Sequence, residues 1–227
     1  LMTALVLGLV TRRGEDVARE YVLRHFRRQH LEKFLPGLQK LGLAGESDAP
    51  ACALYHYHSN ALGGVKTGYI RESDKKAWVR YPPPRWIWKG TAIAAVPHSV
   101  SAAMLHGWHG HNGVSLKNPG LGFVCTGMTV DGFPGLEGYY IDHGRPLKEE
   151  ERVRFAYGSE EMPGVDWNAQ PKLETANWPE ERRLKTFRAY ALEYLRTMLP
   201  TLQELLGPTD TVKELGRVAR LVGLQFH

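Results

Sequence analysis

Ten histidines stand in this 227-residue chain, and three of them fall within six positions, His106-Gly107-Trp108-His109-Gly110-His111. Imidazole is the usual neutral ligand for zinc, iron, copper or nickel, and its proton exchanges nearest neutral pH. On a helix His106 and His109 share a face and lie about 4.5 Å apart along the axis, close enough to hold one ion. His98 falls on the same quarter-turn but about 12 Å further along, so it reads as a helix-start residue behind Pro97. His111 joins the pair if the helix ends at Gly110. His56 and His58 form a second pair in the aromatic run 53–58; on a strand they point to one face and would meet the helical pair there. Glu137 is the acid to add, because a carboxylate ahead of the apolar Gly138-Tyr139-Tyr140 needs a partner. A divalent transition metal, zinc or iron, held by His106, His109 and a further ligand among His56, His58, His111 and Glu137 would polarise a substrate or a bound water. Glu137, His111 and Tyr139 are the candidates for moving the proton. A cofactor-free site in which histidine alone acts as acid and base is the near variant.

The same residues have plainer readings. A His pair at helical spacing is also what a surface or a hydrogen-bonded core produces, and Glu137 suits a strand end. His143 reads as a turn residue, and His25 and His30, set among arginines, read as solvated. Trp78, Trp86, Trp88, Trp108 and Tyr81 make a core or wall a pocket for a planar or apolar ligand. In the pocket reading Trp86, Trp88 and Trp108 contact the ligand and Arg85 meets a carboxylate, while Asn112, Asn118, Tyr139 and Tyr140 supply orienting hydrogen bonds.

The elements that must position these groups come in three stretches of one domain, 1–227. Residues 1–44 are helical in pattern: Val17, Tyr21, Phe26, Leu31, Phe34, Leu35 and Leu38 recur at spacings of three to five, with Pro36-Gly37 interrupting. The stretch 51–154 carries strand signals at 53–58, 65–70, 77–81, 121–129 and 138–142, with a helix over 97–110 between the third and fourth. Pro82-Pro83-Pro84 stops the third strand. A long loop, 158–178, is the length of a lid or a packed excursion. The C-terminal part, 179–227, opens with a helix over 179–199 whose stripe is Leu184, Phe187, Ala191, Tyr194, Leu195 and Met198. Pro200 and Gly207-Pro208 punctuate before a short helix over 211–222. The expected fold is α+β: a small antiparallel sheet of about five strands, flanked by N- and C-terminal helices and one central helix.

Composition removes several classes. With 43% hydrophobic and 23% charged residues the chain is neither disordered, collagenous nor coiled coil. The net charge of +5 is spread out, with no basic stripe of the kind nucleic acid requires. The apolar run 4–10 is about half of a membrane span and lacks the flanks of a signal peptide, so the cytoplasm is the default location. Two cysteines, Cys52 and Cys125, read as buried free thiols. GxGxxG, Walker, GxSxG and HExxH patterns do not occur, which leaves nucleotide binding and serine hydrolysis without support.

The segments Asn118-Pro119-Gly120-Leu121-Gly122-Phe123 and Glu137-Gly138-Tyr139-Tyr140 resemble the L-2-amino-thiazoline-4-carboxylic acid hydrolase-like family. The element order is also similar to that of α+β ligand-binding domains of the vinyl-reductase type. The resemblance covers roughly 78–154 and implies a pocket between the central helix and the Glu137 strand. The hydrolase family favours a cysteine-containing strand ahead of the central helix, where this chain has Tyr81-Pro82-Pro83-Pro84.

Three functions follow as expectations. The first is a small-molecule enzyme performing metal-assisted hydrolysis or elimination on a small, aromatic or carboxylated substrate. The second is a sensory domain whose aromatic cavity holds an apolar ligand or haem, with one histidine as axial ligand. The third is an interaction protein that forms a homodimer through its outer helices.

Overall fold

The computed structural model describes residues 1–83, 96–173 and 178–226. The chain opens with α1 (Met2–Arg13) and α2 (Glu15–Lys40), which part at Gly14, where a φ of 89° suits a residue without Cβ. The core stripe of α2 includes Tyr21, Val22, His25, Phe26, Gln29, His30, Phe34 and Leu38. His25 and His30 are therefore not solvated: both are fully buried. They recur at the three-to-four spacing of the apolar residues, and that period, rather than the neighbouring arginines, decides where they point. The helix also runs on through Pro36 to Lys40 instead of stopping there.

The run 53–58 is not a strand. It lies within α3 (Asp48–Leu62), which starts behind Ser47 with Asp48 in its first turn and Pro50 close to its start. Ten of its residues are buried, so it lacks the polar stripe that marks an ordinary amphipathic helix, and its aromatic content imitates a strand. On a helix His56 and His58 diverge by about 200°.

The sheet follows as β1 (Gly68–Ser73), β2 (Lys76–Tyr81), β3 (Leu121–Gly127), β4 (Leu136–Asp142) and β5 (Val153–Phe155). Its order is β1-β2-β4-β3-β5; every pairing is antiparallel except β3 with β5. Five strands are present among the described residues, but β5 replaces the one expected at 53–58, and the second begins at Gly68 rather than Val65. Between β2 and β3 lie α4 (His98–Gly107), a single 3-10 turn at His109–His111 and the short α5 (Asn112–Ser115). His98 is the first residue of α4, as its place after Pro97 suggested.

Side chains alternate across the sheet, with irregularities between Arg71 and Ser73 and between Cys125 and Gly127. Val79, Tyr81, Tyr140, Phe123 and Cys125 belong to the main core beneath α3 and the turn after α4. Trp78, Val124 and Tyr139 form a separate cluster on the other face, closed by Met162. The segment after β5 is thus a packed excursion: Glu160 pairs with Lys76, and Gln170 Oε1 accepts a bond of 2.8 Å from the Tyr69 N–H.

The last element, α6 (Glu180–Phe226), continues through Pro200 and breaks at Gly207, where φ is 75°. From Thr201 onward, on both sides of that break, it is anchored by Thr201, Leu202, Thr211, Glu214 and Val218, all buried. Glu214 receives Arg12 and Arg13 at 2.8 and 2.9 Å. Its first part leaves Leu184, Phe187, Leu192, Leu195 and Leu199 exposed. Among the described residues no helix is long and apolar enough to cross a membrane.

Candidate functional site

The 3-10 turn after α4 directs His109 inward and α3 brings His56 to meet it. The two imidazoles stack at 4.4 Å with planes 10° apart, and the Tyr140 ring lies parallel to both at 6.0 and 5.7 Å. Phe123 tilts against His109 at 4.6 Å, and the Tyr81 hydroxyl lies 3.2 Å from His109 Nε2. Beneath them the fully buried Asn112 amide is the polar neighbour that partly offsets burial of Cys52 and Tyr140. That burial drives the Tyr140 phenol well above its ordinary range, so Tyr140 stays protonated.

His56 and His109 form part of the wall of a cavity of about 330 Å³ between α2, α3, α4 and α6. Its apolar walls come from Phe26, Tyr55, Met104, Trp108, Tyr190 and Tyr194. Two N–H donors among the lining residues, Gln29 Nε2 and Trp108 Nε1, are buried without a hydrogen-bond partner. Towards solvent the lining includes Lys33, which pairs with Glu193 at 3.1 Å, and Lys40.

The remaining expected site residues are dispersed. His58 packs beside Tyr57, and burial lowers its pKa. The His106 ring faces Phe155 at 6.0 Å, while its carbonyl accepts from Arg27. His111 meets His30 edge-on at 5.2 Å and is held to about 4 by burial, then by Arg27 and Arg152. Glu137 and Tyr139 sit on the far side of the sheet from His109: Glu137 accepts from Arg80 at 2.7 Å, and Tyr139 lies against Trp78 and Lys76. Period-two alternation separates them from Tyr140, so these adjacent residues cannot share a pocket. Arg85, Trp86 and Trp88 lie outside the described residues.

A metal centre finds no donor set here. Among the described residues no three His, Cys, Asp or Glu side chains gather where an ion could sit. Stacked imidazoles hold their in-plane lone pairs parallel, so His56 and His109 do not converge on a common point. Both cysteines are free and buried. Burial raises the Cys52 thiol strongly and pushes Cys125 up to about 12, so neither supplies a thiolate. Neither is expected to react with a maleimide in the folded protein, and both should react in denaturant; native labelling at either position would contradict this burial.

The α2 and α6 residues of the cavity were not anticipated from the sequence. Phe26, Gln29, Lys33, Gly37 and Lys40 recur at three-to-four spacing, which marks one helical face, but its partner across the cavity lies far along the chain. Comparison of the chain with protein-family models, with curated proteins and with solved structures found no match.

Proposed function

We propose that this chain is a small-molecule enzyme that uses His56 and His109 as a cofactor-free proton-transfer pair at the wall of an apolar cavity. The observation that carries the reading is the meeting of two buried imidazoles, one hydrogen-bonded to Tyr81, on the lining of a space large enough for a small organic ligand. Tyr81 fixes the orientation of the His109 ring, and His56 and His109 take and return the proton of the reacting group. The Gln29 and Trp108 donors supply what a ligand's acceptor oxygen needs, since buried N–H groups favour a partner. Hydrolysis of an activated ester or amide is the simplest reaction of this class.

The reading is tested with a series of p-nitrophenyl esters of increasing acyl length, comparing wild type with His109→Phe and Tyr81→Phe. The expected result is a chain-length optimum and a fall in kcat/KM of about 100-fold for His109→Phe at unchanged helical content. Hydrolysis equal in wild type and His109→Phe would overturn the catalytic assignment.

A further inference from the structure

The mouth of the cavity carries cations that no carboxylate among the described residues neutralises. Lys33 is answered by Glu193, but Lys40 has no carboxylate within ion-pair distance among the described residues, and neither does Arg182. The two cations share one indole: Lys40 Nζ lies 5.5 Å from the Trp178 ring centroid and Arg182 Cζ lies 3.9 Å from it. Two like charges beside one ring repel unless an anion joins them. The repulsion is felt at Lys40, whose ammonium is held below the ordinary lysine range by burial and then by Arg182. Elsewhere on the surface cations find carboxylates readily, as Arg71 does with Glu46 and Asp74, and Arg145 with Glu151.

The placement along α2 gives this charge a direction. Gln29 and Lys40 both line the cavity, and eleven residues of helix set their backbones about 16 Å apart along the axis. Between them the lining is aromatic and aliphatic on the α3 and α6 sides: Tyr55, Leu62, Tyr190 and Tyr194. A ligand that fills this space meets mainly apolar walls, broken by Ser59, Asn60 and the mutually paired Lys33 and Glu193, and reaches the Lys40 charge at the mouth.

We infer that the ligand is an elongated organic anion, with an apolar, ring-bearing body inside the cavity and its carboxylate or sulfonate held at the mouth by Lys40 and Arg182 beside Trp178. This assignment rests on the cavity being the ligand site, as proposed above, and adds the class of compound it takes. The paired cations act by charge, so their contribution weakens with salt.

The test uses two fluorescent probes of closely similar body: 1-anilinonaphthalene-8-sulfonate, which carries the anion, and N-phenyl-1-naphthylamine, which does not. Both are titrated into wild type, into Lys40→Met/Arg182→Met, and into Ala189→Trp, which fills the cavity from α6. Wild type is expected to bind the sulfonate about 10-fold more tightly than the neutral probe. The double charge variant should lose that advantage and leave the neutral affinity within about 2-fold, and Ala189→Trp should abolish both. Equal affinities in wild type, or an advantage that survives removal of both cations, would overturn the anion assignment while leaving the cavity as the ligand site. Failure of both probes to bind, or binding unaffected by Ala189→Trp, would overturn the cavity reading and this inference with it.

Discussion

Lowering the pH from about 7.5 to about 5 is expected to remove about 4 kcal/mol of folding stability through two histidines alone. Burial holds His25 to about 3, helped by Arg28; burial holds His30 to about 3, helped by His111 and Arg27. In the unfolded chain both titrate near the ordinary imidazole value of about 6.5. Below that pH the unfolded state binds protons that the folded state refuses. Stability is therefore full above about pH 6.5 and falls as the pH drops towards about 3, by about 2 kcal/mol per imidazole at pH 5. The packing explains why neither ring escapes to water. His25 is stacked on Tyr194 at 5.9 Å, with its Nδ1 3.3 Å from the Tyr21 hydroxyl. His30 is stacked on Phe34 at 4.7 Å and bonded to Ser115 at 2.8 Å. Urea midpoints measured at both pH values check the expectation. His25→Phe keeps the aromatic layer and should remove one imidazole's share, about 2 kcal/mol, of the pH-dependent loss; a midpoint independent of pH would refute the neutral, buried state of these rings.

The second large effect belongs to Gly138, in the middle of β4. A Cβ there would collide with the Val124 carbonyl oxygen of the neighbouring strand, and it would lie 2.8 Å from Phe123 Cζ. Backbone cannot retreat inside a ladder bonded on both sides, so Gly138→Ala is expected to cost about 3 kcal/mol or more, read as a lower urea midpoint. The strain has a direction. Phe123 rests over the glycine and touches His109 at 4.6 Å and Tyr140 at 5.0 Å. Displacing it disturbs the stacked rings, so ester hydrolysis should fall together with stability. Arg154→Lys, an exposed change on the neighbouring β5, serves as the control and should alter the midpoint little; a Gly138→Ala protein as stable as wild type would show that β3 yields more easily than its packing implies.

The sequence displays local periods, and where one period governs an element the reading and the fold agree. The strand over 77–81, the helix behind Pro97, the strand that follows Glu137 and the break at Gly207 are of this kind, as are the α+β class and the packed loop after β5. The failures share a cause. Residues 53–58 lack a polar face because α3 is buried nearly all round, so aromatic content outweighed helical period. The grouping of Glu137 and Tyr139 with Tyr140 treated nearness in sequence as nearness in space, which strand alternation forbids. His56 and His109 were both singled out from the sequence, but for a strand packed on a helix; they meet because a helix and a 3-10 turn aim them at each other. The cavity was hidden for another reason. Its walls come from α2, α3, α4 and α6, and no local pattern records that Lys40 and Arg182 approach one tryptophan.

The two parts of α6 hold the chain with very different strength. Beyond Leu199 the helix is clamped by Leu202, Val218 and the Glu214 carboxylate with its two arginines. Before it, the segment carrying Thr186, Ala189, Tyr190 and Tyr194 forms one wall of the cavity, while the large apolar side chains around it face water. Its inward ties are made by side chains, the Tyr194 stack on His25, the Tyr190 hydroxyl donating to Asn60 Oδ1 at 2.9 Å and the Lys33–Glu193 pair, and its amide hydrogens are expected to exchange ahead of those beyond Leu199. The cavity is thus walled on one side by a half-exposed stretch of a long helix that is held to α1 further along, at Glu214. A ligand of the kind proposed above would therefore approach His109 past this stretch of helix rather than through the sheet behind it.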